Sequence, residues 1–406
     1  MKIAQINVAS YGSTGRIMCQ IQERALAEGY EARSYFGRGN IPDAKGEYTR
    51  IESEVSVLWH VVKARLFDKM GHGSKLATNQ LVKLLKEEKP DIIHLHNLHG
   101  YYINIKILFK YLRKSGAKLL WTLHDCWAFT GGCAYFTECG CEKWKTGCES
   151  CGQKHVYPKS YIDRSSKEYA LKKKLFTGIP GLTLTTPSQW LADLVSASFL
   201  GEYPVHVVYN GIDTENFRPF GAETDTGTKG KLGIAPDCSM ILGVANVWDE
   251  RKRLSALIEL AKDFQDKNAK VVVVGLNEKQ KAALPEGIIG ITRTENARQL
   301  AKLYSAADVF VSTSVEESFS LVVGEALACG TPVVCADGGG CNELVGDGVG
   351  IVVPRDDREA LYRAVSEILE SKEAFSAGCR KRCVENYSRE AMVDGYIEVY
   401  KKIYEQ

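Results

Sequence analysis

The sequence predicts an α/β protein made of two parallel-sheet domains of similar size, and three observations carry the prediction. The chain has 406 residues, too many for one ordinary core, so two domains of roughly 200 residues each are expected. Short apolar runs alternate with segments whose apolar residues recur at three and four, the pattern of strand–helix–strand units feeding a parallel sheet. The alternation breaks off after the turn-forming Asn210-Gly211-Ile212-Asp213 and then restarts.

In the first half, Lys2 to Val8, Ile92 to His96, Lys118 to Leu123, Leu182 to Thr186 and Val205 to Tyr209 read as strands. Gly15 to Glu28, Thr78 to Glu88 and Ile103 to Lys114 carry the helical period, and Pro90-Asp91 stops one helix before the next strand. Gly221 to Gly230 is polar, rich in glycine and without apolar periodicity, which reads as a linker beyond a junction at 210 to 215. The second half repeats the pattern through Met240 to Ala245, Leu254 to Asp266, Lys270 to Gly275, Ala297 to Ala306, Val309 to Ser312, Gly324 to Cys329 and Pro332 to Ala336. Arg389 to Tyr404 is an amphipathic helix with Tyr396, Val399, Tyr400 and Ile403 on one side. The expected division is therefore 1–210, 211–388 and a terminal helix at 389–406.

A formal net charge of +2 gives no bulk electrostatic argument for a nucleic-acid partner. The start, Met1-Lys2-Ile3-Ala4, enters a strand at once and lacks a signal-peptide pattern. No apolar run approaches the roughly 20 residues that span a bilayer. A soluble, cytoplasmic chain is expected, with any membrane contact peripheral. Val57 to Phe67 and Ile103 to Lys114 pair apolar faces with Lys or Arg, which suits either docking on anionic lipid or packing on a sheet. Thirteen cysteines in such a chain are expected to be reduced.

Glu317 and Glu325, eight apart, sit in a loop after one predicted strand and in the following helix, where they can converge on one ligand at a sheet's C-terminal edge. The backbone N–H groups from Ser318 through Phe319 and Ser320 to Leu321 would lie at a helix N-terminus and receive a phosphate. Glu325 would take a ribose diol and Glu317 would lie near the sugar. Arg251 and Lys252, in Trp248-Asp-Glu-Arg251-Lys252-Arg253, can neutralise a diphosphate or form a solvated charge run. Gly12 to Gly15 follows the first strand, but its spacing is not Gly-x-Gly-x-x-Gly, so the dinucleotide reading loses. His124 follows the strand ending at Leu123, at the same kind of edge. His96, Asn97 and Tyr101 fit an acceptor pocket or packing at a strand end. Cys133, Cys141, Cys148 and Cys151 could surround a structural zinc and fold a loop with little core, or remain unliganded thiols.

The run Glu317-Ser-Phe-Ser-Leu-Val-Val-Gly-Glu325-Ala-Leu-Ala-Cys-Gly330-Thr-Pro332-Val-Val resembles the family 4 retaining glycosyltransferases, with their Glu-x7-Glu motif and Ala-x-Ala-x-Gly-x-Pro-Val continuation. Four further segments are similar to the branch used in capsule, exopolysaccharide and lipopolysaccharide assembly. They are Gly12-Ser-Thr-Gly15-Arg16, Pro90 to Tyr102, Trp121-Thr-Leu-His124-Asp125-Cys-Trp127 and Asn210-Gly-Ile-Asp213. The resemblance implies the GT-B fold, two Rossmann-like domains facing an interdomain cleft, with the donor on the second domain, the acceptor on the first, and the terminal helix crossing back to the first.

It further implies that Gly15 and Arg16 face the cleft, that His124 contacts the donor sugar, and that backbone around Gly290 to Arg293 meets the nucleobase. Asp125, next to His124 in the chain, is expected to orient it and is grouped with the acceptor-side residues. Lys252 matches the family's lysine, whereas Val247 stands where the family has arginine and Arg253 where glycine is usual, which leaves Arg251 as the substitute. The branch shows the four-cysteine pattern, with Pro at the position of Gly152 and with Cys139 as an extra. The implied activity is transfer of a hexosyl-type sugar from a UDP- or GDP-sugar to a lipid-linked glycan, with no cofactor required for catalysis. A nucleotide-sugar epimerase of the same fold, or a non-catalytic sugar-nucleotide-binding subunit, are the alternatives.

Overall fold

A computed structural model describes all 406 residues. They form two compact units, one of residues 1–208 with 392–406, the other of 209–391. The first holds seven strands, β1 Lys2–Ala9, β2 Glu31–Arg38, β3 Glu47–Arg50, β4 Ile92–Leu95, β5 Lys118–Thr122, β6 Leu182–Thr186 and β7 Val205–Val207. Their order is β3-β2-β1-β4-β5-β6-β7, and every neighbouring pair is parallel. The second holds β8 Ser239–Val244, β9 Ala269–Val274, β10 Ile288–Ile291, β11 Val309–Ser312, β12 Val333–Ala336 and β13 Gly350–Val353. Their order is β10-β9-β8-β11-β12-β13, again parallel throughout. Both units are Rossmann-like.

In each sheet the winding reverses once, between β1 and β4 and between β8 and β11. At such a point the chain leaves the two adjacent strands in opposite directions and opens a crevice at their carboxyl ends. The loops after β1, β4, β8 and β11 carry most of the residues singled out above. The central strands are apolar without alternation because both sheet faces are covered, as in Val271 to Val274 of β9, all buried.

The terminal helix, Arg389–Glu405, buries Met392, Tyr396, Val399, Tyr400 and Ile403 in one cluster with Ile3, Ile17, Ile21, Ile92 and Leu120 of the first unit. The segment expected as a linker, Gly221 to Gly230, is instead helical over Ala222–Lys231. Two internal glycines weaken it locally. Tertiary contacts hold it, because the buried Lys229 Nζ donates to Asp308 Oδ2 at 2.8 Å and to the Cys238 carbonyl at 2.9 Å. Strand β2 escapes the sequence pattern because its ends are charged, and Arg33 within it pairs with Glu47 and Glu88.

The helix expected at Ile103 to Lys114 spans Ile105–Leu112 and buries Ile105, Leu108, Phe109 and Leu112. Its apolar face packs within the unit, which is the packing alternative of the two readings for this helix. No helix is long and apolar enough to cross a membrane.

Candidate functional site

In the second unit the turn after β8 and the loop after β11 are stitched together. The Val315 N–H donates to the Arg251 carbonyl at 3.0 Å, and Thr313 Oγ1 donates to the Lys252 carbonyl at 2.8 Å. Glu317 is clamped from the other side, donating its N–H to the Gly338 carbonyl at 2.7 Å and accepting from Gly340 N–H at 2.9 Å. This backbone frame aims the Glu317 carboxylate at Lys252, and the two form an ion pair. The Arg251 guanidinium lies 3.8 Å from the same carboxylate and donates to the Glu316 carbonyl at 2.8 Å. Burial alone would raise the Glu317 carboxyl, but the Lys252 ammonium and the Arg251 guanidinium outweigh it and hold the group below its ordinary value.

Three residues on, Ser320 caps helix Leu321–Ala328 with φ of 87°, a left-handed conformation that suits glycine better. Its hydroxyl is buried and has no hydrogen-bond partner. An orphaned hydroxyl beside the free N–H groups of a helix N-terminus is a cradle for an anion. Glu325 lies one turn into this helix and accepts from the Tyr304 phenol at 3.2 Å. Ser318 and Leu321 are half-buried. Phe319 is buried against Tyr209 and Tyr387, so it offers backbone and not its ring to a ligand. Arg293 is exposed beyond β10, the far edge strand.

The first unit places His124 after β5 and His96 after β4. The two rings meet, His96 Nδ1 to His124 Nε2, at 3.3 Å. The protons along this contact can be assigned by following the hydrogen bonds outward. Gln22 Nε2 donates to the Glu47 carbonyl at 3.2 Å, so its Oε1 accepts from Ser34 Oγ. Gln5 Nε2 then donates to Ser34 Oγ at 3.2 Å and to the Met18 carbonyl at 3.0 Å. Gln5 Oε1 therefore faces His96 Nε2, at 3.1 Å, and can only accept. His96 thus carries its proton on Nε2 and presents a bare Nδ1, which obliges His124 to donate from Nε2. What remains is His124 Nδ1, a lone pair with no partner in the chain. Burial keeps both rings neutral, holding His96 well below its ordinary value and His124 at about 4.

Asp125 does not orient His124, contrary to expectation. Its Oδ2 contacts His99 Nε2 at 2.7 Å and its Oδ1 accepts from Trp127 N–H at 2.9 Å, while Tyr157 Oη closes on His99 Nδ1 at 3.2 Å. Burial would raise the Asp125 carboxyl, but the His99 ring reverses that and keeps it below its ordinary value. Tyr101, grouped with His96 and Asn97 from sequence, sits edge-on to His60 instead, with ring centroids 5.9 Å apart. It is Tyr102 whose phenol reaches the Asn97 carbonyl, at 2.8 Å. A left-handed φ of 71° at Tyr101 turns its side chain away. Gly15 is required by packing, since a Cβ there would strike the Ser10 backbone, and Arg16 is exposed.

The four cysteines lie in one loop, but no three of them converge as a metal-ligand set. Cys133 and Cys151 share a hydrogen bond that raises the first thiol and lowers the second, and Gly131 N–H donates to Cys148 Sγ at 3.1 Å. Nor does the loop lack a core. Phe129, Phe136 and Trp144 stack within it, and the buried Lys172 donates to the Trp127 and Thr130 carbonyls at 2.7 and 3.1 Å.

Residues 16–216 match the family described as Glycosyltransferase Family 4, and residues 228–390 match Glycosyl transferases group 1. The chain belongs to the family 4 glycosyltransferases. It is 26% identical to glycosyl transferase WcaC of Escherichia coli K12, a protein named provisionally for colanic acid biosynthesis, over 99% of this chain and 100% of that one. Sucrose-phosphate synthase from Thermosynechococcus elongatus superposes with a TM-score of 0.70 at 18% identity, covering 99% of this chain and 98% of that one. HepE of Anabaena, solved with UDP-glucose, superposes with a TM-score of 0.67 at 15% identity, covering 99% and 100%. These likenesses place both units in the GT-B fold.

Within this glycosyltransferase the departures from the family pattern acquire structural content. Arg253 adopts φ 51°, ψ 52°, the left-handed conformation for which glycine is the usual choice. Val247 is exposed and brings no charge, whereas Arg251 puts a guanidinium beside Glu317. Sequence reasoning missed Gln5, Ser34, Gln22 and Tyr304. The signal for Gln5 was a polar residue between Ala4 and Ile6, inside a strand buried on both faces.

Proposed function

We propose that this family 4 glycosyltransferase moves a hexosyl unit from a UDP- or GDP-sugar to a lipid-linked glycan acceptor, with retention of configuration, during assembly of a bacterial surface polysaccharide at the inner face of the cytoplasmic membrane. The observation that carries the reading is the Lys252–Glu317 ion pair set three residues before the orphaned hydroxyl of Ser320. A nucleoside diphosphate would lay its phosphates against the N-terminus of helix Leu321–Ala328 and its ribose against Glu325. Lys252, with Arg251 beside it, meets the negative charge that grows on the departing diphosphate, the point at which preorganised cations contribute most to rate. Glu317 holds that ammonium in place and is itself available to sugar hydroxyls. His124, neutral and with Nδ1 bare, accepts from a sugar hydroxyl.

In a front-face reaction the acceptor oxygen forms its bond to the anomeric carbon on the side from which the diphosphate oxygen leaves. The acceptor proton passes to the departing phosphate, so no enzyme nucleophile is needed. What the protein supplies is alignment and charge stabilisation. The full-length match to WcaC, with its provisional colanic acid name, and the UDP-glucose bound by HepE support the pathway and the donor class.

Donor titration and initial rates test the assignment. Glu325→Ala weakens donor binding, whereas Lys252→Ala mainly slows transfer, and unchanged values in both variants would overturn it. Incubation with donor alone separates the alternatives, because an epimerase releases an altered sugar nucleotide without acceptor. Tight donor binding with no turnover across an acceptor panel would favour a binding subunit. The anomeric coupling of the product glycoside reports retention.

A further inference from the structure

Helix Glu54–Phe67 has two apolar faces, and only one of them is used. Its inner face carries His60 and Ala64, both buried, with Val57 and Val61 half-buried beside them. His60 fixes this face, since Gly73 N–H donates to His60 Nε2 at 3.1 Å and His60 Nδ1 contacts Ser74 Oγ at 3.0 Å. The outer face is anomalous. Val55, Leu58, Trp59, Leu66 and Phe67 are 47–68% exposed and Val62 is 36% exposed. Their positions step by three and four, so they form a single stripe down the solvent side. Tyr161 and Ile162, also exposed, continue the stripe beyond its C-terminal end, where Tyr161 N–H donates to the Arg65 carbonyl at 2.9 Å.

Isolated exposed apolar residues need no explanation, but a contiguous row of this size on one helix marks a contact surface. Its charge pattern selects the partner. Lys63, Arg65 and Lys69 flank the stripe and are exposed, and none of the three forms an ion pair. The helix has one acid, Glu54 in its first turn, which faces Arg50 at 3.5 Å. An apolar ridge carrying Trp, Phe and Leu with unpaired cations alongside matches the interface of a bilayer with anionic headgroups, into which such a helix lies flat. A convex ridge asks for no complementary groove, which a protein partner would have to provide.

We propose that the outer face of helix Glu54–Phe67 seats the protein on an anionic phospholipid surface. The inference deepens the proposed lipid-linked acceptor by naming the surface that meets the bilayer, and it is measurable without any acceptor. The full-length protein is mixed with vesicles of phosphatidylglycerol and phosphatidylcholine, or of phosphatidylcholine alone, and the bound fraction is read by flotation. Wild type is expected to bind the anionic vesicles at least tenfold more tightly, with binding lost at 0.5 M salt. The double variant Trp59→Glu, Leu66→Glu is expected to lose at least tenfold of that binding while keeping its melting temperature and its donor-induced thermal shift.

Equal binding to both vesicle types, or undiminished binding by a folded double variant, would overturn the proposal. So would a concentration-dependent dimer that the variant dissolves, which would assign the face to a second copy of the chain. If vesicle binding holds but no lipid-linked glycan is ever extended, the acceptor reading fails and the docking face stands.

Discussion

Replacing Gln5 by leucine keeps most of the side-chain volume and removes the amide that orders the protons of two histidines. In the native arrangement His96 Nε2 meets Gln5 Oε1 at 3.1 Å and His96 Nδ1 meets His124 Nε2 at 3.3 Å. Without the Gln5 acceptor, His96 is free to move its proton to Nδ1, and His124 must then bare Nε2 and protonate Nδ1. The bare Nδ1 lone pair, to which we assign a sugar hydroxyl, disappears. Losing one neutral hydrogen bond of this kind costs about 0.5–1.5 kcal/mol, so kcat/KM should fall about two- to tenfold. Long-range proton–nitrogen correlation on histidine-labelled protein reads the tautomer directly, with His124→Gln used to assign its signals. Gln5→Glu restores an acceptor for His96, so at pH 8 it should recover the native tautomer and most of the rate. A wild-type His124 protonated on Nδ1 would refute the reasoning, as would a leucine variant with unaltered ring protons and a reduced rate.

Ser320→Gly should act with opposite signs on the two states. Relief of the left-handed backbone raises the ligand-free melting stability by about 1 kcal/mol, and loss of the orphaned hydroxyl weakens donor binding about two- to tenfold, both read in one thermal-shift titration. Tyr304→Phe removes a hydrogen bond to Glu325 and should reduce donor affinity a few-fold with little change in the rate at saturating donor, as titration and kinetics will show. His60 and His124 are both pushed down to about 4 by burial. A ring whose folded value is depressed stabilises fully above its unfolded value near 6.5 and loses that contribution as pH falls towards 4, by up to about 3 kcal/mol each. Urea denaturation at pH 7.5, 5.5 and 4.5 should show the decline, and it should be shallower in His60→Gln.

How much of this was legible depended on where each residue's partners lie in the chain. The Glu317 to Pro332 run was placed correctly at a strand-to-helix edge because the loop, the helix cap and the following strand are contiguous, so the pattern travels as one piece. The core strands were readable because burial on both faces leaves unbroken apolar runs. What escaped is built across the chain. Lys229 holds a glycine-bearing helix through Asp308, 79 residues away, and no local pattern reports that. The pairing of Asp125 with His99 rather than its neighbour His124 follows from the 3-10 turn at Cys126–Phe129 that the same carboxylate caps. The cysteine loop misled for a related reason, since its polar composition hid an aromatic core assembled from Phe129, Phe136 and Trp144.

The first compact unit is closed by residues from the end of the sequence. Ile3 on the first strand and Ile17 and Ile21 on the first helix find their cover only when Tyr396, Tyr400 and Ile403 arrive, and the buried His94 has its Nδ1 partner in Tyr400, 306 positions downstream at 2.7 Å. During synthesis that half of the molecule must wait, with a greasy flank uncovered, while the other half is made and can already collapse. A stop codon before Tyr396 would therefore injure the part of the protein that was translated first.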